Sequence, residues 1–597
     1  MRQGHAWLAA LRPEFFGMGL LAAVTATFPL VLHPTRFLPA SELAGVYSHV
    51  WKFWWTWQAV GELGVNPAFT TLLRHPEGLE VGRVMAGFGD AFWTMPITAL
   101  LGPVASFNTV VFLNTAAGFW GAALLATRAG LGRGPAALAG LAWSLSPNHL
   151  GYLYGGAVEY LASPWTPLFL LALLELLGLR APQDKTRRSW RWFAWMAAAL
   201  AACLVAQAMT SWVKGLVLGG FGGLVMLGAV VAMPRRTVPG SAWAMAGLLA
   251  GGLVVLAATW WLFPAPSSAP TVDLHLASAN VTRLQMTWKR FQPEEVALRS
   301  PEMWMNNHLL WTTGVLALLG ATTRRGRIWL LLALPFVVDL LVPQDQTWRL
   351  GVQVPESLAP YLAAPARILI MAERRIFLLH LLLALSAAHG LSWVQRIVAL
   401  RWPRASATLP FLAVLAWVAE WALLGPVRVP VPSFEARIQP HARYLAEAEP
   451  GAVIDLPLMA KPVDPAPFVN KATRSRYMFQ QTVHGHPILT FVGSRIRYDY
   501  TALPQVDPVL ETLHLRSRLG PPVPPRPIEW RPDALRTAGY RWVVLHPKSL
   551  SSGGPAARAR LSTDLKVLLG EPRTFADGVE LFRVPDSVER AASPGGP

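Results

Sequence analysis

The sequence predicts a mainly α-helical, polytopic membrane protein with about eleven spans and a small C-terminal α/β domain outside the membrane. Only 14% of its 597 residues are charged, whereas soluble domains carry about 25%. Its apolar residues form separate blocks of roughly 18–25 residues, the length with which a helix crosses the hydrocarbon core. These two observations exclude an ordinary soluble globular protein.

The apolar blocks define the candidate spans. They are residues 14–33, 92–127, 135–153, 160–180, 192–212, 214–233, 242–263, 307–321, 327–342, 374–396 and 408–425. No small-residue cleavage site follows the first block, so we interpret it as an uncleaved helix. The block 92–127 is long and contains Pro103, and is either one span or a span preceded by a half-helix. We count it as one crossing, since two would invert every later loop.

The connections between spans alternate in charge. One set is short and holds, with the N-terminus, seventeen basic residues and one acidic residue, Asp184. The other set includes the long loops 34–90 and 264–307, which are nearly neutral. Because basic loops stay in the cytoplasm, we expect the N-terminus on the cytoplasmic side of the membrane and the long loops outside. The net charge of +18 is then a topological signal, and nucleic acid is not an expected partner.

The composition changes after residue 425, where the chain becomes rich in proline and charge. We therefore predict two domains: a membrane domain over 1–425 and an extracytoplasmic, periplasmic domain over 426–597. Within the second, residues 452–456 and 542–546 are typical of short buried strands. Residues 534–539 resemble the end of a helix capped by a glycine.

The first outer loop contains an aromatic pattern with helical spacing. The residues are Tyr47, Val50, Trp51, Trp54 and Trp55. His49 lies away from this face. Because tryptophan favours the lipid headgroup region, we expect an interfacial helix that lies flat on the membrane. It is either an anchor or one wall of a lipid-facing active site.

Three acidic residues are candidate catalytic groups near the outer surface: Glu42, Asp90 and Glu159. A carboxylate there can act as a general base for an acceptor hydroxyl. Taken singly, Glu42 and Asp90 are also explained as solvated loop charges, and Glu159 as a hydrated charge at the membrane boundary. Glu159 begins the fourth span, close to His149. Lys214 lies in a tight outer turn.

Outer arginines are candidates for binding the phosphate of a lipid. Arg283 and Arg367 lie in outer loops, and Arg374 stands at the start of a span. A guanidinium group can hold a phosphate bidentately, whether of a substrate or of bulk phospholipid. The usual signatures of soluble enzymes are absent from the sequence, including a Walker loop, HExxH and a nucleophile elbow. The single cysteine, Cys203, excludes an intramolecular disulfide.

Short motifs along most of the chain carry a family resemblance. They are residues 45–55, 66–67, 75–78, 139–147, 165–168, 454–457, 481–487, 494–495 and 539–547. These motifs resemble those of bacterial multi-pass membrane glycosyltransferases of the GT-C type. The resemblance implies inverting transfer of a sugar from a polyprenyl-phosphate donor to a glycan, lipid or protein acceptor. It also implies an acidic base in the first outer loop and, in some members, a divalent metal ion.

One departure from the family pattern bears on catalysis. Gly45 stands where the resemblance implies an aspartate, six residues before the first tryptophan of the loop. The base is then Glu42, Asp90 or Glu159, or else the chain has lost catalysis.

Two other functions remain compatible with the sequence. The first is a transporter or lipid flippase, but transporters usually contain broken or polar helices at mid-membrane and internal repeats. Here the ionisable residues lie near span ends. The second is a non-catalytic membrane scaffold of envelope polysaccharide assembly, which the Gly45 departure favours.

Overall fold

The structure is a computed structural model, and its residues cluster into two compact units. It describes residues 12–39, 45–81, 87–179, 189–232, 234–262, 285–286, 308–341, 376–424, 429–457, 467–490, 532–546 and 554–586. The membrane unit comprises Met1–Ser41 and Ala86–Phe434, and the C-terminal unit comprises Glu42–Met85 and Glu435–Pro597. This division differs from the expected domains, because most of the loop 34–90 clusters with the C-terminal residues.

The membrane unit is a helical bundle, as the fold class predicted. Its α-helices of nine or more residues are Pro13–Thr27, Pro103–Arg128, Arg133–Ser144, Pro147–Gly155, Trp165–Leu176, Trp190–Thr210, Trp212–Ala232, Pro234–Leu262, Trp311–Gly320, Arg324–Leu341, Ile376–Arg401 and Pro403–Leu424. Six helices in the described ranges are long and apolar enough to cross a membrane. Each of the predicted spans overlaps a described helix, and the chain is a multi-pass membrane protein.

The break near Pro103 occurs where the sequence predicted it. A short helix, Met95–Leu101, ends at Gly102. The φ of Gly102 is 84°, which is incompatible with a right-handed helix, and Pro103 starts the next helix. Seven residues rise only about 10 Å, one third of the hydrocarbon thickness. The segment is therefore a half-helix followed by one full-length helix.

The centre of the membrane unit is the helix Ile376–Arg401, whose residues from Ile376 to Leu391 are all buried. It packs against Trp311–Gly320 at very short range, since a Cβ built on Gly320 would lie 2.1 Å from the carbonyl oxygen of Ser386. The Ser386 hydroxyl donates to the carbonyl of Ala317 at 2.9 Å. Small residues at such contacts provide the close packing that holds membrane helices together.

The C-terminal unit is a small α/β domain, as expected. Its sheet has the strand order Ala452–Leu456, Tyr540–Leu545, Glu580–Arg583 and Arg573–Thr574, with the first pair parallel and the others antiparallel. The described helices with it are Val46–Thr56, Pro440–Glu447, Pro467–His484, Pro532–Thr537 and Gly554–Leu569. Both predicted strands form, and Gly539, with φ of 87°, follows the predicted helix end.

Side chains alternate between the two faces of this sheet. Ile454, Leu456 and Val543 belong to an apolar cluster that includes residues of Pro532–Thr537 and Gly554–Leu569. Asp455 lies between Ile454 and Leu456 in the same strand, so its side chain points to the opposite face of the sheet. That second face is the more polar of the two.

The first-loop helix, Val46–Thr56, corrects the expectation of a helix lying flat on the membrane. Its aromatic face is buried in protein: Trp51 is 0% exposed and Trp55 is 3% exposed. The helix packs against Pro467–His484, and the rings of Tyr47 and Phe479 stack with centroids 4.5 Å apart. Trp54 and His49 remain half-buried. The amphipathic spacing therefore reflects the buried contact between the helices Val46–Thr56 and Pro467–His484 of the C-terminal unit.

Gln481 joins three segments of the C-terminal unit. Its carboxamide oxygen accepts from the Trp51 indole nitrogen at 2.8 Å. Its amide nitrogen donates to the carbonyl oxygens of Leu72 at 2.6 Å and His486 at 2.9 Å. The side chain is fully buried, so these bonds cannot be replaced by water if it is removed.

We predict that Gln481→Ala loosens the first-loop helix. The change leaves buried polar groups without partners and lowers the local free energy of unfolding by about 3 kcal/mol. Hydrogen exchange of peptides covering 46–56 in the full-length protein measures this. The half-buried Gln58, changed to alanine, is the control. Equal exchange in the two variants would contradict the assignment.

A buried histidine gives this unit a pH-dependent stability. Burial, and next the neighbouring His486, lower the pKa of His484 to about 3. Its Nδ1 accepts from the backbone amide of His486 at 3.0 Å. The unfolded chain takes up a proton near pH 6.5 whereas the folded unit does not, so stability falls as the pH drops from about 6.5 towards 3.

We predict that His484→Gln weakens this dependence, because glutamine keeps an acceptor and does not titrate. The slope of unfolding free energy against pH between 6 and 4 decreases by up to about 1.4 kcal/mol per pH unit. Hydrogen exchange of peptides within 467–490, corrected for intrinsic rates, measures the slope. An unchanged slope would show that His484 is not the responsible group.

Candidate active site

A buried lysine lies inside the membrane unit. Lys214 is 1% exposed, on the first turn of the helix Trp212–Ala232. Its ammonium nitrogen donates to the carbonyl oxygens of Tyr160 at 2.5 Å and Leu161 at 2.9 Å. It also lies 5.0 Å from the centroid of the Phe377 ring. Three segments that are distant in sequence therefore meet at this ammonium group.

Two buried carboxylates face the same ammonium. Lys214 interacts electrostatically with Glu159 and Asp90, which are 4% and 3% exposed. Isolated charges are very costly to bury, whereas opposite charges in one cluster offset much of that cost. We call these three residues the Lys214 cluster. Ionisable groups that pair inside a membrane protein commonly mark a functional site.

Close backbone packing positions Asp90. A Cβ on Gly89 would lie 2.7 Å from the backbone carbon of Met209, so only glycine lets the short helix Gly89–Trp93 approach the helix Trp190–Thr210. Asp90 Oδ1 then accepts from the Trp93 indole at 3.3 Å and from the Thr210 hydroxyl at 3.5 Å. The carboxylate is held at the junction of the half-helix and the end of a long helix.

A polar layer continues from Thr210 into the bundle. Gln207 Oε1 accepts from the hydroxyls of Ser163 at 2.7 Å and Thr166 at 2.9 Å. Among the described residues, the Gln207 amide nitrogen and the Ser211 hydroxyl are buried with no hydrogen-bond partner. Buried polar atoms are normally satisfied. Unused donors beside two carboxylates suit a ligand rich in hydroxyl groups.

His149 has a structural role beside this layer. Its Nδ1 accepts from the amide of Ala162 at 2.9 Å, so Nε2 carries the proton and donates to the Thr115 hydroxyl at 3.0 Å. Both ring nitrogens are therefore engaged. The imidazole braces the third predicted span against the segment that carries Glu159.

The structure brings together two of the three predicted catalytic residues, Asp90 and Glu159. The third, Glu42, lies outside the described residues, as do the three candidate phosphate-binding residues Arg283, Arg367 and Arg374. Position 45 serves a backbone role: the Gly45 carbonyl accepts from the Ser48 hydroxyl at 2.7 Å. Sequence reasoning missed the part played by Lys214, although a lysine beside an apolar span is itself a signal.

The described residues around Lys214 do not fit a divalent metal ion. Such ions need several oxygen or nitrogen ligands converging on one point. Here an ammonium group already supplies positive charge to Asp90 and Glu159, and both nitrogens of His149 are occupied. The part of the chain that the structure describes has one group with metal-binding spacing, and it lies in the C-terminal unit.

Comparison with solved structures identifies the fold. The structure of the arabinofuranosyltransferase AftD from Mycobacteria aligns with 98% of this chain at 18% identity and a TM-score of 0.54. The chain shares its fold with AftD. The GT-C fold expected from the sequence motifs is thereby confirmed. The aligned region covers 40% of the AftD chain, so this chain spans about two fifths of that protein's length.

Two weaker similarities involve the oligosaccharyltransferase of Archaeoglobus fulgidus. The structure with zinc and sulfate gives a TM-score of 0.49 at 11% identity, and covers 89% of this chain and 68% of that one. The structure of AglB with an inhibitory peptide and a dolichol-phosphate gives 0.47 at 11% identity, covering 89% and 69%. No protein-family model matches the chain, and no curated protein sequence matches it.

We predict that Lys214→Met strongly destabilises the membrane unit, because it leaves two buried carboxylates without their cation. Breaking a buried charge cluster costs about 3–5 kcal/mol. Cys203 is the only cysteine and is 9% exposed, so a thiol-reactive dye reports unfolding directly. Adding Glu159→Gln to Lys214→Met restores part of the loss. Lys566→Met is the exposed control, and a melting temperature equal to that control would contradict the prediction.

Proposed function

We infer that this protein is a membrane glycosyltransferase that transfers a sugar from a polyprenyl-phosphate donor to an acceptor hydroxyl. The Lys214 cluster is the main support for this function, because two buried carboxylates there interact with one ammonium group in a layer that has unused polar donors. The fold shared with an arabinofuranosyltransferase supports the same chemistry. The acceptor is a glycan, lipid or protein of the cell envelope.

Asp90 is the proposed general base. The acceptor oxygen attacks the anomeric carbon while the bond from that carbon to the phosphate oxygen breaks, and the acceptor proton passes to the Asp90 carboxylate. The products are an inverted glycoside and a polyprenyl phosphate. Lys214 places an ammonium group close enough to interact electrostatically with the Asp90 and Glu159 carboxylates. A general base must take up a proton, so its carboxylate acts in the ionised form. The hydroxyl and amide groups around Gln207 orient the sugar.

The proposed site lies at the outer face of the cytoplasmic membrane. Asp90, Glu159 and Lys214 stand at the ends of connections whose nearly neutral charge predicts an outer location. The electrostatic interaction of Lys214 with both carboxylates supports that topology, since segments on opposite sides of a bilayer would not share one ion cluster. Arg374 lies three positions before Phe377, whose ring contacts Lys214, and is the proposed ligand of the donor phosphate. The C-terminal unit is then extracytoplasmic.

We predict that Asp90→Asn strongly slows transfer while the protein stays folded. Asparagine keeps the shape and the acceptor oxygen but cannot take a proton, so the rate falls about 10²–10⁴-fold. Purified protein in liposomes is assayed with polyprenyl-phosphate-linked sugars, beginning with arabinofuranose. We expect Glu159→Gln to lose less activity than Asp90→Asn, because Glu159 supplies a second negative charge near Lys214 and does not take the acceptor proton.

The exposed Asp577→Asn provides the matched control and retains full activity. Transfer by Asp90→Asn at the control rate would reject Asp90 as the base. Movement of the intact lipid-linked sugar across the liposome bilayer, without covalent transfer by the wild type, would instead identify a flippase.

A further inference from the structure

The polar face of the C-terminal sheet contains a second cluster that the proposed transfer does not use. We call it the histidine pocket: His441, Asp455, Tyr477 and His546. All four side chains are buried, at 1%, 4%, 1% and 5% exposure. Such a concentration of ligand-type groups inside a small apolar domain requires a compensating interaction.

The carboxyl ends of two parallel strands bring Asp455 and His546 together. Asp455 is the fourth residue of Ala452–Leu456, and His546 directly follows Tyr540–Leu545. The backbone amide of His546 donates to the carbonyl of Leu456 at 3.1 Å, which fixes the two strand ends side by side. His546 Nε2 then lies 2.9 Å from Asp455 Oδ1. Ligand sites in α/β sheets commonly form at this edge.

His441 completes the set from the helix Pro440–Glu447. Its ring packs edge-on against the ring of His546 with centroids 5.2 Å apart. One ligand atom from each of His441, Asp455 and His546 lies within 4.8 Å of the other two. Ligands on tetrahedral zinc are separated by about 3.3 Å, a distance that small side-chain rotations bring within reach.

Two further observations point to a missing partner. His441 Nδ1 and the Tyr477 hydroxyl are buried and have no hydrogen-bond partner among the described residues. The Tyr477 ring stacks on the His546 ring with centroids 4.6 Å apart, so this tyrosine lies next to the candidate ligands. A nitrogen acceptor and a hydroxyl oxygen left unsatisfied in a dry interior are costly. A cation coordinated by Nδ1 would satisfy that nitrogen.

We propose that His441, Asp455 and His546 bind one Zn²⁺ ion. Two imidazoles and one carboxylate are a ligand set that zinc uses, and no thiolate is available in this unit because the only cysteine is Cys203. The fourth position is left for water or the Tyr477 hydroxyl. The ion clamps the helix Pro440–Glu447 to the strand ends and stabilises the fold, a structural role separate from the Lys214 cluster.

The test measures zinc on the full-length protein in detergent. The protein is stripped with a chelator, reloaded with zinc chloride, desalted and analysed by mass spectrometry of the metal. We expect about one zinc ion per chain in the wild type, and loss of about nine tenths or more of it in Asp455→Asn and His546→Gln. His484→Gln, a buried histidine of the same unit outside the ligand set, retains the ion.

A second measurement uses only the wild-type protein, so it does not require any variant to fold. Zinc added to the stripped wild type slows hydrogen exchange in peptides covering 440–447 and 452–456, and leaves the membrane unit unchanged. A wild type that binds no zinc, or ligand variants that keep it, would overturn the proposal. So would zinc binding without any protection of these peptides.

Discussion

The burial of the Lys214 ammonium is the constraint on which the membrane unit depends. A positive charge in an apolar bundle must be matched by negative groups, and here two carboxylates and two carbonyl oxygens surround it. Because Asp90, Glu159 and Lys214 come from different connections, satisfying the charge also determines which helix ends meet. The same arrangement that lowers the cost of burial leaves two carboxylates in a layer with unused hydrogen-bond donors, and glycosyl transfer is the reaction proposed for this site.

A different constraint organises the C-terminal unit. The helix Val46–Thr56 packs against the helix Pro467–His484, and its Trp51 indole donates a hydrogen bond to Gln481. This unit is therefore assembled from two stretches of chain far apart in sequence. Its polar sheet face, with His441, Asp455 and His546, would add a metal clamp to a domain whose apolar core is small.

The sequence predicts those features that depend on local composition. Span-length apolar blocks, the break at Pro103 and the strand 452–456 follow from hydropathy and from the backbone preferences of proline. The aromatic face around Trp51 was misinterpreted because spacing shows that a face is apolar without showing whether lipid or protein covers it. The electrostatic interaction between Asp90 and Lys214 joins residues more than a hundred positions apart in sequence. Helical periodicity describes neighbouring residues only, so it cannot predict such a pair.

Asp90 is proposed to face the reacting sugar. A cryo-electron microscopy structure of the Asp90→Asn protein in nanodiscs with a polyprenyl-phosphate-linked sugar would locate the donor relative to this residue. We expect density for the sugar beside the Lys214 cluster, with the anomeric carbon within about 6 Å of the residue-90 side chain, close enough for one acceptor hydroxyl to bridge them. A donor bound more than about 10 Å away, with the Lys214 cluster enclosed by protein, would contradict it.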